Sequence, residues 1–268
     1  LERRLGIDQP LPVQYVRMMS QFFSGELESF QTQRPTIDLI LERFPTTLLI
    51  ASITVVLALI IGIPIALYSA ARPYSWFDNI ATTGTLVGLS LPQFWFALIL
   101  VLIFSERLDI LPATGIRPIE SQNGIIDSIP YLIMPVGGLV LGLLPAIVRY
   151  TRSTLMDVFS QGYIRTARAK GLTERRVIYS HALRNGLIPV VTLVGILFPA
   201  LLGGTVLIET IFGLPGIGRL ALRAAQNRDL PLILTLNMFS AILVLLSTLI
   251  TDLIYAYLDP RISLGGKE

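Results

Sequence analysis

Apolar stretches long enough to cross a lipid bilayer constrain this chain more than any other feature of it. A helix needs roughly 20 predominantly apolar residues to cover the hydrocarbon core. Five stretches meet that need, at 46–71, 80–104, 131–148, 187–208 and 232–257. They predict an all-α, polytopic membrane protein with five spans. Pro64, Pro92, Pro135, Pro145, Pro189 and Pro199 fall inside or beside these stretches. Prolines are tolerated in membrane helices, where neighbouring helices satisfy the freed carbonyls. Gly84 with Gly88 and Gly138 with Gly142 are small-residue pairs that let helices approach closely.

Composition agrees: 15% of the 268 residues are charged and 53% are hydrophobic, against about 25% charged in soluble domains. The chain has no cysteine, which excludes disulfides, thiolate metal sites and cysteine nucleophiles. It opens on Leu1 rather than Met, and no signal-peptide pattern is visible.

Residues 1–44 are of mixed polarity, with turn signals at Asp8-Gln9-Pro10 and Arg34-Pro35. Tyr15, Met18, Met19, Phe22 and Phe23 recur near helical spacing. That spacing fits a short amphipathic helix on the membrane or on a neighbouring subunit, and equally a core within an extramembrane segment.

Lysine and arginine near span ends set orientation. The connection 149–187 holds Arg149, Arg152, Arg165, Arg168, Lys170, Arg175, Arg176 and Arg184 against Asp157 and Glu174. The connection 105–130 holds Arg107 and Arg117 against Glu106, Asp109, Glu120 and Asp127. The basic connection is therefore placed in the cytoplasm. Residues 1–44 and the loops 105–130 and 209–231 then face outward; 72–79 and the tail 259–268 face inward. Arg219, Arg223 and Arg228 in the outer loop blur the bias without reversing it. This divides the chain into an extracytoplasmic segment 1–44, a transmembrane domain 45–258 containing the loop 149–187, and a cytoplasmic tail 259–268. An extracytoplasmic start with no apolar run before it predicts a preceding span, six in the complete protein.

Within the basic loop, Tyr163-Ile-Arg-Thr-Ala-Arg-Ala-Lys-Gly171 reads as a short helix with Tyr163, Thr166, Ala167 and Lys170 on one face. Gly171 stands where a helix C-cap needs a left-handed residue. Thr173 is a suitable N-cap for a second helix carrying Val177, Ile178, His181 and Ala182. Ala167 and Ala169 are small enough for a partner to come close. Charge alone is also what an ordinary topology-setting loop shows.

The residue order decides further. Tyr163-Ile-Arg-Thr-Ala-Arg-Ala-Lys-Gly-Leu172, followed by His181-Ala-Leu-Arg-Asn185 and Ile188-Pro189, resembles the cytoplasmic loop of binding-protein-dependent ABC importer permeases. More narrowly it is similar to the B-type permease of the dipeptide/oligopeptide/nickel/glutathione branch. The likeness covers nearly the whole chain. It includes Leu5-Gly-Ile-Asp-Gln-Pro10, Arg149-Tyr-Thr-Arg152, Glu209-Thr-Ile-Phe-Gly-Leu-Pro-Gly-Ile-Gly218, Arg228-Asp229 with Pro231, Asp252-Leu-Ile-Tyr255 and Asp259-Pro-Arg261. The wider family has Glu-Ala-Ala where this chain has Arg165, Thr166 and Ala167, and often Pro where it has Arg184. The Arg-Thr-Ala form is usual in the peptide branch, so Arg165 does not inherit the glutamate's contacts.

The resemblance implies a type I ABC importer transmembrane domain whose coupling helix, with Tyr163, Arg165, Thr166, Ala167, Ala169, Lys170, Gly171 and Leu172, enters a groove of an ATPase. It implies as partners a second homologous permease, two ABC ATPase subunits, an extracytoplasmic solute-binding protein and the bilayer, with no nucleic acid. ATP and magnesium would be bound by the ATPases and no cofactor by this chain, in a bacterial or archaeal cytoplasmic membrane. The implied mechanism is alternating access, and the implied substrate a peptide, with nickel or glutathione on the same scaffold as the alternative.

Gly213 and Gly218 are spaced like the start of a phosphate loop, but Arg219 and Leu220 stand where that chemistry needs Lys and Ser or Thr. The segment reads as a Pro-Gly turn. His181 is the single histidine, has no partners at metal or triad spacing, and reads as a packing or hydrogen-bonding residue. Asp252 is the one acid inside the five apolar stretches, toward the cytoplasmic end of the last. An intramembrane enzyme would need a second, so a helix-end hydrogen bond or salt bridge is the expected role, and a passive channel is the other alternative. Ser90-Leu-Pro92-Gln93 interrupts the second span. It marks either a broken helix lining a translocation path or a packed proline kink.

Overall fold

The computed structural model describes residues 10–115 and 125–258. The calls on Leu5–Gln9, Arg117, Glu120 and the tail with Asp259-Pro-Arg261 lie outside the described residues. Among those described there is no strand; an isolated bridge joins Glu28 to Pro35. The elements are α1 (Leu11–Ser24), α2 (Thr36–Leu41), α3 (Phe44–Ala71), α4 (Trp76–Ser90) and α5 (Gln93–Arg107, π-helical from Val101). They continue as α6 (Ile125–Ser160), α7 (Gly162–Ala169), α8 (Glu174–Gly186, π-helical over Val177–Leu183), α9 (Ile188–Gly204), α10 (Val206–Ile211), α11 (Ile217–Gln226) and α12 (Leu230–Leu258).

Among the described residues, three helical segments are long and apolar enough to cross a membrane, Thr36–Ala71, Asp127–Ser160 and Leu230–Ile254, and two bent pairs bring the total to five when each pair is one span. In the first pair, α4 and α5 meet at 98° around Leu91 and Pro92. Contacts show that this pair is a broken span and not a loop returning to its starting side. Asp78 pairs with Arg152. The Cβ positions of Gly88, Gly142, Gly138 and Gly137 face Pro145, Gln93, Ala97 and Leu100 in turn. The pair therefore climbs antiparallel along α6 from Arg152 to Gly137, about 22 Å at 1.5 Å per residue. Gly88, Gly138 and Gly142 make the close approaches expected of them, whereas Gly84 has nothing near its Cβ position.

In the second pair α8 and α9 meet at 43°. Gly186 packs so closely on Leu155 of α6 that its Cβ position lies 2.5 Å from a Leu155 methyl. The far end of α9–α10 reaches Thr47 at the start of α3 through Glu209. α12 returns beside α9, with Gly195 against Thr251 near its end.

The centre of the fold is α6, with 61% of its apolar window buried against 11% for α12. Ile50, Ala58, Leu139 and Ile147 are fully buried where α3 and α6 pack. α6 has 36 residues, about 54 Å at the helical rise, against about 30 Å of hydrocarbon. It thus continues well past the expected end of the span at Val148. Residues 149–160, expected in the basic loop, are its last turns.

At the end opposite the basic loop, Asp229 joins residues 29–30 to the start of α12. Its carboxylate accepts from Ser29 Oγ at 2.5 Å, from the Phe30 N–H at 3.1 Å and from the Leu232 N–H at 3.4 Å. It thereby caps α12 and holds residues 29–30 on it, which gives the Arg228-Asp229 and Pro231 pattern a physical role. α1 leaves Tyr15 and Phe23 exposed, so these side chains do not build an extramembrane core. The helix ends at Gly25 with φ +73°, where the Glu26 N–H bonds the Gln21 carbonyl.

Candidate functional site: the loop mounted on α6

The basic loop folds as a small unit with its own core. α7 buries Ile164 and Ala167, and α8 buries Val177 and Ala182 against them. Val158, Phe159 and Leu172 close the sides of this cluster, the first two from the end of α6. Val177 and Ala182 are five residues apart and meet the same core because the chain is π-helical there. Between the helices Gly171 takes φ +77°, as a left-handed C-cap requires, and its N–H bonds the Arg168 carbonyl at 2.9 Å.

Thr173 starts α8 through its backbone. Its carbonyl accepts from the N–H groups of Arg176 and Val177, while its side chain makes no capping bond. The bend is stapled by Arg168, whose Nη2 and Nε reach the two Glu174 oxygens at 2.6 and 3.2 Å. The bond from Arg168 holds the Glu174 carboxyl below its ordinary value. Both partners are exposed, so the pair contributes at most about 1 kcal/mol.

Tyr163, Arg165, Thr166, Ala169, Lys170 and Gly171 are exposed. Thr166 bonds back to the Gly162 carbonyl, and the Tyr163 hydroxyl accepts from Asn185 Nδ2 at 3.2 Å. Ala167 corrects the expected face: its side chain is turned into the loop's own core, 6% exposed, and cannot meet a partner. Leu172 is half-buried on that core. The presented surface is a ridge about two turns long, made of Tyr163, Thr166, Ala169 and Lys170 and accompanied by exposed Arg165, Arg175 and Arg176.

Gly171→Ala is expected to cost about 1 kcal/mol from its left-handed backbone alone, since nothing lies within 4 Å of its Cβ position. Faster proteolysis of the loop with unchanged membrane insertion is the checking measurement.

Ser90 and Pro92 are exposed at the α4–α5 break, and Gln93 is half-buried with its side chain against Gly142. The Ser90 hydroxyl bonds the Leu86 carbonyl at 2.9 Å. His181 is half-buried, and its carbonyl accepts from Asn185 Nδ2. Asp252 is exposed and, among the described residues, has no hydrogen-bond or ion-pair partner, contrary to the helix-end bond expected of it.

The structural roles of two further buried acids, Asp78 and Glu209, escaped sequence reasoning, although Glu209 heads the motif that runs to Gly218. Asp78 pairs with Arg152 near the basic end. Its one sequence signal is Ser75-Trp-Phe-Asp78, a capping pattern realised by the Asp78 N–H bonding Ser75 Oγ at 3.3 Å. Glu209, fully buried at the opposite end, accepts from the hydroxyls of Thr47 at 2.7 Å and Thr205 at 2.9 Å and from the Arg219 N–H at 2.9 Å. A Cβ on Gly216 would overlap this carboxylate, and one on Gly218 would lie 2.7 Å from Val206 Cα. The Pro-Gly turn is therefore built around an acid, and its glycines make room for it.

The family model described as "binding-protein-dependent transport system inner membrane component" matches residues 62–264. The chain belongs to this family. It is a multi-pass transport subunit of the inner membrane. The permease is 41% identical to the oligopeptide transport system permease protein AppB of Bacillus subtilis (strain 168), over 97% of this chain and 83% of that protein. It is 40% identical to the dipeptide transport system permease protein DppB of Alkalihalophilus pseudofirmus, over 98% and 84%. Among solved structures, the inward-facing MetNI methionine ABC transporter aligns with a TM-score of 0.67 at 16% identity, over 84% of this permease and 99% of that chain. An amino acid ABC transporter solved with histidines gives 0.61 at 14%, over 91% and 97%. At such identities the likeness is one of fold: the permease has the helical architecture of ABC importer transmembrane subunits.

Proposed function

We propose that this permease is one membrane-spanning half of an ATP-driven peptide importer and that the loop on α6 is where it receives force. The supporting observation is the packed helix–Gly171–helix unit, which exposes Tyr163, Thr166, Ala169 and Lys170 while burying Ile164 and Ala167. A loop that only set topology would need its charges but not a packed core beneath them. The peptide substrate rests on the relatives named for oligopeptide and dipeptide transport.

In this reading the partners are a second permease, two ATPases that bind ATP and magnesium, and a solute-binding protein outside a bacterial or archaeal membrane, a set that membership of the family supports. This chain then holds no cofactor and hydrolyses nothing alone, whereas the assembled complex is an ATP-hydrolysing translocase. In the reading proposed here, residues 1–44 lie outside and 259–268 inside, and the surface near Ser90, Pro92 and Gln93 lines the path. When ATP closes the ATPases, the loop moves with them, α6 carries the motion inward, and the spans rock to open the outer side.

The test is reconstitution of the full complex in vesicles with its binding protein. Accumulation of labelled peptide only when ATP is present is the expected result. Peptide flux without ATP would mean a channel, and uptake of nickel or glutathione but not peptide would overturn the substrate class.

A further inference from the structure

Arg152 stands on α6 about two turns before the helix ends at Ser160 and the loop begins. Its Nε reaches Asp78 Oδ1 at 2.5 Å and its Nη2 reaches Oδ2 at 2.7 Å. The same carboxylate accepts from Ser69 Oγ and from the Tyr74 N–H at 2.8 Å, and Arg152 Nε also lies 3.2 Å from Ser69 Oγ. Ser69 is in the last turn of α3, Asp78 in the first turn of α4, and Tyr74 between them. One guanidinium thus ties α6 to the basic-end termini of both neighbours. Asp78 is 2% exposed, with every carboxylate oxygen bonded.

For a buried pair, desolvation offsets much of the Coulombic gain, so it is weak evidence for stability. Its bidentate geometry, however, fixes distance and angle between the parts that carry it. That matters most for α4, since α3 already packs along α6 through a buried core. The turn between α3 and α4 is short and exposed over Arg72–Tyr74, and α4 bends away from α5 by 98° at its other end. α6, by contrast, is continuous from the opposite end to the loop, and the loop core rests on its Val158 and Phe159. The loop is thus joined directly to α6, and Arg152 adds a polar link from α6 to the start of α4 beyond the Gly88–Pro145 contact.

We propose that Arg152 and Asp78, with Ser69, form a transmission clamp: a positioning pair that makes the basic-end termini of α3 and α4 move as one body with α6 and the loop. The proposal rests on the permease reading. It assigns these residues no contact with substrate or nucleotide.

The test uses the complete transporter in vesicles, reading ATP hydrolysis and substrate uptake together. Asp78→Asn and Arg152→Gln are expected to keep the ATPases bound and hydrolysis within about twofold, while uptake per ATP falls about tenfold. The exchange Asp78→Arg with Arg152→Asp is expected to recover part of that ratio, which a merely bulky or solubilising role would not do. An unchanged ratio in Asp78→Asn overturns the clamp. The chain has no cysteine, so a label pair at Asn79→Cys and Asp157→Cys, both exposed, reports the same link in an otherwise unaltered chain. A label separation that stays constant between nucleotide-free and ATP-trapped transporter supports the proposal; one that changes overturns it, even where Asp78→Asn does not insert. Failure of the unaltered complex to couple uptake to ATP would instead strike the permease reading.

Discussion

Replacing Glu209 by alanine is expected to remove most of the folded permease from the membrane, at a cost of about 3–6 kcal/mol. The side chain is fully buried, and three donors from three parts of the fold end on it: Thr47 of α3, Thr205 before α10 and the Arg219 N–H of α11. Thr47 also accepts from the Ile217 N–H at 2.9 Å, so one hydroxyl links the acid to the start of α11. Truncation leaves the buried Thr47 and Thr205 hydroxyls unsatisfied, each at a cost of about 1–3 kcal/mol, frees the part-buried Arg219 N–H and opens a cavity. Glu209→Gln preserves volume but turns an NH2 toward one of the donors, so an intermediate loss of about 1–3 kcal/mol is expected. Gly216→Ala should resemble the alanine variant, because its Cβ would stand where the carboxylate is. The measurement is the fraction of monodisperse protein and its melting temperature in detergent. A Glu209→Ala variant as abundant and heat-stable as the parent would contradict this account.

The second large effect separates function from folding. Ala169→Arg is expected to reduce ATP-driven uptake at least about tenfold, because a docked ridge tolerates little added bulk at its centre. Its effect on stability should stay within about 0.5 kcal/mol, since Ala169 is exposed on α7. Ala167→Arg, on the opposite face of α7, should also lose uptake, but by forcing a guanidinium among Ile164, Val177 and Ala182 and disordering the loop. Co-purification of the ATPases and proteolysis of the loop distinguish the two. Ala169→Arg loses the partners with an intact loop, and Ala167→Arg loses the loop first.

Much of the fold was legible because its causes are local. Span length follows from apolar runs, and the break at Pro92 follows from the proline and the polar residues beside it. Gly171 announced its left-handed bend by its place after a helical pattern. The extension of α6 was hidden by its charges. Arg149, Arg152 and Asp157 look like loop, yet the true signal was the lack of any glycine or proline between Pro145 and Gly162.

The misplacement of Ala167 has a similar origin. A face drawn at helical spacing takes no account of an inner core, and the five-residue spacing of Val177 and Ala182 is no ordinary helical signal. The two buried acids were beyond reach for another reason. Asp78 meets Arg152 across 74 positions and Glu209 meets Thr47 across 162, and neither partnership leaves a local trace.

The central claim is that the α7 ridge docks an ATPase. Because residues 1–268 contain no cysteine, Ala169→Cys adds the one attachment point within this segment, and the unsubstituted complex serves as the control for labelling elsewhere. A short thiol-reactive photo-crosslinker there is predicted to capture the ATPase subunit, while one at Asn227→Cys, exposed at the opposite end of the fold, is predicted not to. Capture of the ATPase from position 227 and not from position 169 would contradict the account.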